Sequence, residues 1–448
     1  MRNTALAIAL LMLNGCASAP TAQPVNAPTT ALNTERALPD VGSDAIMLSL
    51  SGGGARAASF SLGVLQQLRN TQAADGHPLL DHVAMITSVS GGSIIAAYYG
   101  LHGAPGLDTF RAAYLDRNWA GELHDNPVSP LNWMRVYRGG ANGPDRLADW
   151  LDANVFDGAH MRDFHGPQIW LNAAELHTEA PFAFAPAYFD AICSDLASVR
   201  VGDAVAASMA VPLVFHPVLL EAHADACKTP LPAWVERAEA DRGAPSLVRF
   251  TAQSFAAYRD ASHMRYLNLA DGGVIDNFGV TTFTVMRRVS ETPYAPLSQQ
   301  SAVRLRRMLF LVVNAERTRE EQWQLSAAGP NGAQTLRAVT DTQIDLSKRL
   351  AYDAYMGAMQ DWRRDLIAWR CGLSREEAAQ LGAPEGWRCD DLAFSFDMIS
   401  FADLAAAQYA ALSQAPTRVS LPASTIDALI EGGHEAVRQD QVIQALTR

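Results

Sequence analysis

Lysine is almost missing from this sequence. Lys228 and Lys348 are the only two among 35 basic residues, a compositional bias rather than a site. Neither has a serine three positions before it, which excludes the Ser-x-x-Lys arrangement of penicillin-binding enzymes. Cysteine is also scarce: five in 448 residues, none in a Cys-x-x-Cys pair, too few for a disulfide scaffold. Basic charge is outweighed, leaving a net charge of −12 and a pI near 5.4, so electrostatic nucleic-acid binding is excluded. Past the first residues no apolar run approaches the roughly 20 needed for a spanning helix. The eleven histidines are scattered, without HExxH or another compact ligand spacing, so no metal site is expected. What remains is globular. With 49% hydrophobic and 18% charged residues, the chain is long enough to bury a large core, and no internal repeat divides it.

The first residues speak to the compartment. Arg2 precedes an apolar run, Ala5 to Leu13, that suits the core of an export signal and is too short to cross a bilayer. It ends in Leu13-Asn14-Gly15-Cys16, which resembles a bacterial lipobox, whose cysteine is cleaved to the N-terminus and lipidated; a plain export signal is the alternative. Residue 17 is Ala rather than Asp, which by the same resemblance favours the outer membrane of the cell envelope. Residues 1–15 are thus expected to be a lipoprotein signal peptide. Residues 16–40, rich in Ala, Pro, Thr and Asn, are expected to be a flexible tether. The mature chain is acidic, so a lipid on Cys16 rather than headgroup attraction would hold it to a membrane. Export leaves Cys193, Cys227, Cys371 and Cys389 in an oxidising space. The near pairs 193–227 and 371–389 are the simplest connectivity, with buried free thiols the alternative.

Beyond the tether, short apolar runs alternate with helical patterns. Ala45–Leu50, Val83–Ser88, Ile169–Ala173, Tyr266–Ala270 and Met308–Val313 read as buried strands. Nearly continuous apolar strands separated by helices predict an α/β fold, a mainly parallel sheet covered on both faces. A catalytic unit is expected over 41–335. From 336 to 448 the pattern is mainly helical, clearest at Leu346–Trp369. One more strand is expected at Leu392–Ile399 and a last helix at Ser424–Ala436, packed on the same domain.

Two strand-to-helix junctions and one strand end carry chemistry. In Leu50-Ser51-Gly52-Gly53-Gly54-Ala55-Arg56, three glycines free the backbone to aim N–H groups into one concavity at a helix N-terminus. No Gly-Lys-Ser/Thr follows, so this is not a Walker loop. No acidic residue closes the second strand, which weakens a dinucleotide reading. An oxyanion hole and a purely structural turn remain. In Ser88-Val89-Ser90-Gly91-Gly92-Ser93, a serine between strand and helix resembles a nucleophile elbow, with Ser88 where glycine is usual. Ser88 and Ser93 are rival nucleophiles. Asp271-Gly272-Gly273 ends an apolar strand and is either a plain turn or a general base for Ser90. Of the histidines only His434 comes late enough for a Ser-Asp-His order, and it reads as a surface or capping residue.

Taken together and in order, Gly52-Gly53-Gly54-Ala55-Arg56, Ser88-Val89-Ser90-Gly91-Gly92 and Asp271-Gly272-Gly273 resemble the signature of the patatin-like phospholipases. Ala204–Pro212 is similar to that family's small-residue helix and proline turn, and Asn277 to an asparagine it often carries. The likeness covers about residues 45–285, with an echo at Leu421–Ala436. It departs at Ser88 and at Ala57, where glycine is common. The resemblance implies a three-layer patatin-like fold and a serine lipid acyl hydrolase acting through an acyl-enzyme, with no cofactor, metal or nucleotide. Ser90 and Asp271 would be catalytic, and Gly52, Gly53, Gly54 and Gly91 would supply oxyanion donors. Asn277 would have a supporting place, and Arg56 would steady the loop, meet a phosphate or form a structural ion pair. Partners would be a phospholipid or other fatty-acyl ester and, through the anchor, a membrane. A noncatalytic lipid-binding or scaffold protein on the same fold, and a short-ester esterase or thioesterase, are the alternatives. The stretch 218–265 is long for the family and is expected to cap the acyl pocket, pinned by Cys193–Cys227; a packed surface elaboration is the other reading.

Overall fold

The structure is a computed structural model that describes residues 22–117, 123, 136–137, 139–143, 145–316 and 323–448. The signal segment and Cys16 lie outside the described residues.

Asp44–Leu50 (β1) and Val83–Val89 (β2) are buried at every position, as strands covered on both faces must be. The sheet is completed by Gln168–Glu175 (β3), Ala180–Ala183 (β4), Val218–Glu221 (β5), Tyr266–Asp271 (β6), Arg307–Asn314 (β7) and Ala393–Ser400 (β8). The order is β5-β6-β3-β2-β1-β7-β8, with β4 also on β3. The pairs β1–β2, β1–β7, β2–β3 and β7–β8 are parallel, while β3–β4, β3–β6 and β5–β6 are antiparallel. The mixed, mostly parallel sheet agrees with the fold expected from the apolar runs. β4 and β5 were not foreseen, being four-residue strands too short for a periodic signal.

One register detail places the site. Asn172 of β3 pairs with Val89 of β2 and also with Ala183 of β4, so those strands occupy opposite edges of β3. From Ala173 onward β6 pairs with β3 while β4 still holds its own edge. β6 therefore continues along the edge that β2 has just left.

The helices that bear on the site and its supports are Gly54–Asn70 (α1), Gly91–Phe110 (α2, interrupted at Gly103), Pro186–Ala191 (α3), Val201–Met209 (α4), Ala233–Ala240 (α5), Ser246–Tyr258 (α6), Thr281–Val289 (α7), Gly332–Gly372 (α8) and Ala423–Gln439 (α9). α2 lies on β2 and β3, and α1 packs between α2 and α9. The other face is covered by α7 and α8: Trp170 meets Phe283 at 5.9 Å, and Phe310 meets Tyr355 at 5.7 Å. The C-terminal part is integral to the layers, since β8 extends the sheet beside β7 and α9 seats on α1. That contact is backbone to backbone: a Cβ on Gly433 would stand 2.3 Å from the Phe60 carbonyl oxygen. The helix α8 begins at Gly332, so the expected boundary at 335/336 falls inside it.

Two expectations need correction. Residues 22–40 are not a free tether. Val25 N–H donates to the Leu219 carbonyl (3.0 Å), Thr29 N–H to that of Cys193 (2.9 Å), and Leu38 is in the core. Asn26 and Asn33 explain the difference. The Asn26 amide donates to Ser194 and Glu221, and that of Asn33 to Asp190 and Ser194. A segment without apolar periodicity is thus fastened by side-chain amides. The stretch 218–265 also packs otherwise than a cap. α6 lies on β4, α3 and α7, and α5 on α6. Trp234 and Tyr188 meet Phe255 at 5.5 and 5.2 Å, and Tyr258 meets Phe182 at 6.5 Å. These rings build a layer at the β4 edge, because their apolar area is better covered there than over a polar site. Cys193 is bonded to Cys227 and Cys371 to Cys389.

Candidate active site

Ser90 sits where β2 turns into α2, with φ 52 and ψ −120. A non-glycine residue held there is strained, and such strain persists only where the surroundings enforce it. Here they do. The Ser90 N–H donates to Ser208 Oγ (2.9 Å), and Ser208 donates to the Asn172 carbonyl (2.6 Å). Ser93 Oγ lies 2.9 Å from Ser208 Oγ and 3.1 Å from Ser88 Oγ. The two rival serines are therefore fully buried and tied into a hydroxyl chain behind the elbow. Ser88 faces α2 and bonds the Trp170 carbonyl (3.3 Å), so its hydroxyl is accommodated where glycine is usual.

The elbow can form only because two backbones touch. A Cβ on Gly91 would come within 2.0 Å of the Gly54 carbonyl oxygen, so the two glycine-bearing junctions are one site. Gly54, at φ 61, lies against the Arg418 carbonyl, and that carbonyl accepts from Ala55 N–H at 2.8 Å. At the start of α1 and α2 the first N–H groups have no intrahelical acceptor, and the positive ends of both helix dipoles converge. Gly53, Gly54 and Gly91 stand at those starts. Gly52 departs from expectation: its N–H is already committed to the Asn277 carbonyl (3.2 Å). Its contribution is closeness instead, since a Cβ there would collide with Asn277 Oδ1 and crowd Ser90. Arg56 is buried and donates to the carbonyls of Ala315 (2.7 Å) and Ala415 (2.9 Å), so it clamps the loop to the chain following β7.

Asp271 ends β6 opposite Ala173. Its N–H donates to the Ala210 carbonyl (3.0 Å) and its Oδ1 accepts from Gly273 N–H (2.8 Å). The Ser90 hydroxyl is close enough to this carboxyl to favour its charged form. Burial pushes its pKa up to about 6, against the lowering effect of the Ser90 hydroxyl and the Gly273 N–H. Desolvation wins because a carboxylate loses more from leaving water than two donors return. Ser90 and Asp271 are 6% and 7% exposed, so the pair is sheltered but reachable. Asn277 Oδ1 lies beside Gly52 and Gly273. His434 is remote, bonded to Gln66 (3.0 Å) on the α1–α9 seam.

The family model of the patatin-like phospholipases matches residues 48–284, more than half of the chain and all three glycine-bearing segments. The chain belongs to the patatin-like phospholipase family. No curated protein matches the chain. Among solved structures it is similar to human GIVD cytosolic phospholipase A2, at 13% identity and a TM-score of 0.38, covering 91% of this chain and 60% of that one. The same human protein in complex with methyl gamma-linolenyl fluorophosphonate and terbium chloride gives 13% identity and a TM-score of 0.35, over 90% and 59% of the two chains. This phospholipase-family chain thus spans about three fifths of the length of those structures.

In this patatin-like site, two residues escaped sequence reasoning. Ser208 was inside a recognised stretch, but nothing in the sequence says that its hydroxyl receives the elbow N–H. Asn172 gave no signal at all. Its Nδ2 donates to Thr87 Oγ1 (2.8 Å) and to the Ser88 carbonyl (3.1 Å), and its Oδ1 accepts from Thr282 (2.6 Å). It joins β2, β3 and α7 behind Ser90 and Asp271. Among the described residues no group of three His, Cys, Asp or Glu side chains is arranged to hold a metal ion. Two surface clefts, one between α5 and Arg288–Glu291 and one under residues 29–39, are not lined by Ser90 or Asp271.

Proposed function

We propose that this patatin-like phospholipase cleaves fatty-acyl esters, phospholipids among them, through a Ser90/Asp271 dyad. The observation that carries the reading is a serine at a strained elbow standing where the strand ending in the buried Asp271 carboxyl takes over the edge of β3. Asp271 takes the hydroxyl proton as Oγ attacks the ester carbonyl carbon. The N–H groups of Gly53, Gly54 and Gly91 receive the negative charge that develops on the carbonyl oxygen, where two helix N-termini already favour it. Collapse breaks the ester bond, and the proton on Asp271 passes to the departing alcohol oxygen. Water then attacks the acyl-enzyme and gives its proton to Asp271. The second collapse returns that proton to Ser90 Oγ and releases the fatty acid. A carboxyl with a pKa near 6 suits both halves, being a better proton acceptor than an ordinary aspartate and still ionised at neutral pH.

The proposal includes export and lipidation at Cys16, placing the protein in a cell envelope. The lipobox-like Leu13-Asn14-Gly15-Cys16 supports this, as do two disulfides, which persist in oxidising compartments. Fluorophosphonate labelling followed by peptide mass spectrometry tests the nucleophile. Label on Ser90, lost in Ser90→Ala together with ester hydrolysis, is the expected outcome. Label elsewhere, or full activity in Ser90→Ala, would end the dyad reading. Cys16→Ser is expected to leave unlipidated precursor or soluble protein.

A further inference from the structure

Leu213 is strained and exposed at once. Its φ is 71, a conformation that costs a leucine energy, yet the residue is 57% exposed. Neither property helps a side chain that only meets water. Val211, Val274 and Tyr137 are also exposed, at 40%, 43% and 92%. They form one rim. Asp271 N–H donates to the Ala210 carbonyl, so Val211 and Val274 each lie within three residues of that contact. Gly140 bridges to Leu213, and Ala141 N–H donates to the Leu213 carbonyl (2.9 Å), which brings the Tyr137 turn alongside. Exposed apolar groups gathered at one mouth mark an interaction surface.

The N-terminal segment indicates what covers that surface. Val25 pairs with Leu219, and Asn26 exchanges side-chain bonds of 2.8 Å with both the N–H and the carbonyl of Glu221. Residue numbers fall together on the two strands, so the segment runs parallel to β5. Followed toward Ala22, it leads away from Glu221 and toward Pro217 and Leu213. Five residues separate Ala22 from Cys16, and a fully extended chain over those six steps reaches at most ~21 Å. A lipid on Cys16 would therefore keep the Ala22 end of this segment, which runs toward the Val218 end of β5, within about that distance of a bilayer surface. With a net charge of −12 the protein gains nothing from anionic headgroups, so contact must be apolar.

We propose that Tyr137, Val211, Leu213 and Val274 form a bilayer-docking surface, and that the enzyme takes its ester lipids from the leaflet in which its own Cys16 anchor sits. The inference rests on the lipoprotein and Ser90/Asp271 readings above. Docking supplies the rim with apolar surroundings, and the short strap keeps the mouth turned to the membrane that carries it. Hydrolysis in the anchor's own bilayer then proceeds at a high effective concentration.

The full lipidated protein, reconstituted into phosphatidylethanolamine/phosphatidylglycerol vesicles carrying one fluorescent phospholipid, is mixed with protein-free vesicles carrying a second colour. The colour in the protein-bearing vesicles is expected to be consumed roughly tenfold faster or more, as effective concentration dictates. Val211→Asn with Leu213→Asn should lower that rate while hydrolysis of a soluble short-chain ester stays unchanged; asparagine is at home at φ 71, so the fold is spared. Equal consumption of both colours overturns the same-leaflet claim. An independent arm carries an environment-sensitive dye on Leu213→Cys in the Ser90→Ala background. A blue shift on adding vesicles supports docking even if no hydrolysis is ever found, in which case the functional reading alone fails. An unshifted dye, with wild-type vesicle hydrolysis by the double variant, overturns the docking surface.

Discussion

Asp271 of β6 faces Ala173 of β3, one residue past the Asn172 that faces Val89 of β2. Because β6 takes over the edge that β2 vacates, the end of one strand stands at the head of the other. The residue after Val89 is Ser90, so the proposed nucleophile and base meet with no loop spanning between them. Rigid strands fix the pair more closely than loops would, which a proton transfer over one hydrogen bond requires.

The pH profile should report Asp271 directly. Burial lifts its pKa to about 6, and only the ionised form accepts the Ser90 proton. With a soluble short ester, kcat/KM is expected to rise with pH up to about 6 and then level off. A rate that is flat from pH 4.5 to 8 would argue against Asp271 as the base.

The same carboxyl couples activity to stability. Its folded-state pKa lies above the ordinary 3.8, so the folded protein holds the extra proton between those values. Stability therefore falls as pH rises from about 4 to about 6, and the ionised group costs the fold about 3 kcal/mol above that. Asp271→Asn should lower kcat by roughly 10²–10⁴-fold and yet melt at higher temperature than the wild type at pH 8. The gain should vanish near pH 4. Thermal unfolding at the two pH values checks the sign.

Ser208→Ala removes the acceptor of the Ser90 N–H and leaves a buried donor unpaired, at a cost of about 1–3 kcal/mol. With the elbow less firmly held, kcat should fall while KM for a short ester changes little. Ser88→Gly, which removes a hydroxyl from the far end of the same chain, should be tolerated. Equal kinetics for Ser208→Ala and wild type would show that the elbow holds itself.

Gly433→Ala tests whether the C-terminal helix supports the glycine loop that opens α1, the proposed oxyanion hole. The added methyl meets the Phe60 carbonyl oxygen and must part α9 from α1, with a loss of about 1–3 kcal/mol expected. Since α1 begins at Gly54, hydrolysis should weaken along with stability. Thermal melts and short-ester kinetics on the purified variant read both.

Replacing residues 225–260 with a Gly/Ser linker should give unstable or insoluble protein rather than altered chain-length preference. The deletion uncovers Phe182 and Tyr188, now packed against Phe255 and Tyr258. A well-folded deletion variant with a new acyl preference would restore the cap reading.

The sequence by itself determined six of the eight strands and their order along the chain. Apolar runs marked β1, β2, β3, β6 and β7, because strands covered on both faces admit few polar positions, and the half-buried β8 was marked as well. Glycines beside Ser90 and after Leu50 were legible for a similar reason: a backbone contact of the kind Gly91 makes with Gly54 tolerates no side chain. Tertiary structure alone decided what those pieces touch. Asn172 and Ser208 are ordinary polar residues in one dimension and become supports of the elbow only once β3 and α4 are packed. Gly52 looked like its glycine neighbours until folding committed its N–H to Asn277. The N-terminal strap carries no hydrophobic period, since amide side chains hold it, and amides bond whatever acceptor the fold presents. The aromatic residues of 218–265 announced burial without saying where. Hydrophobic burial is non-directional, so the choice between roof and flank belonged to the assembled sheet, whose open β4 edge they cover.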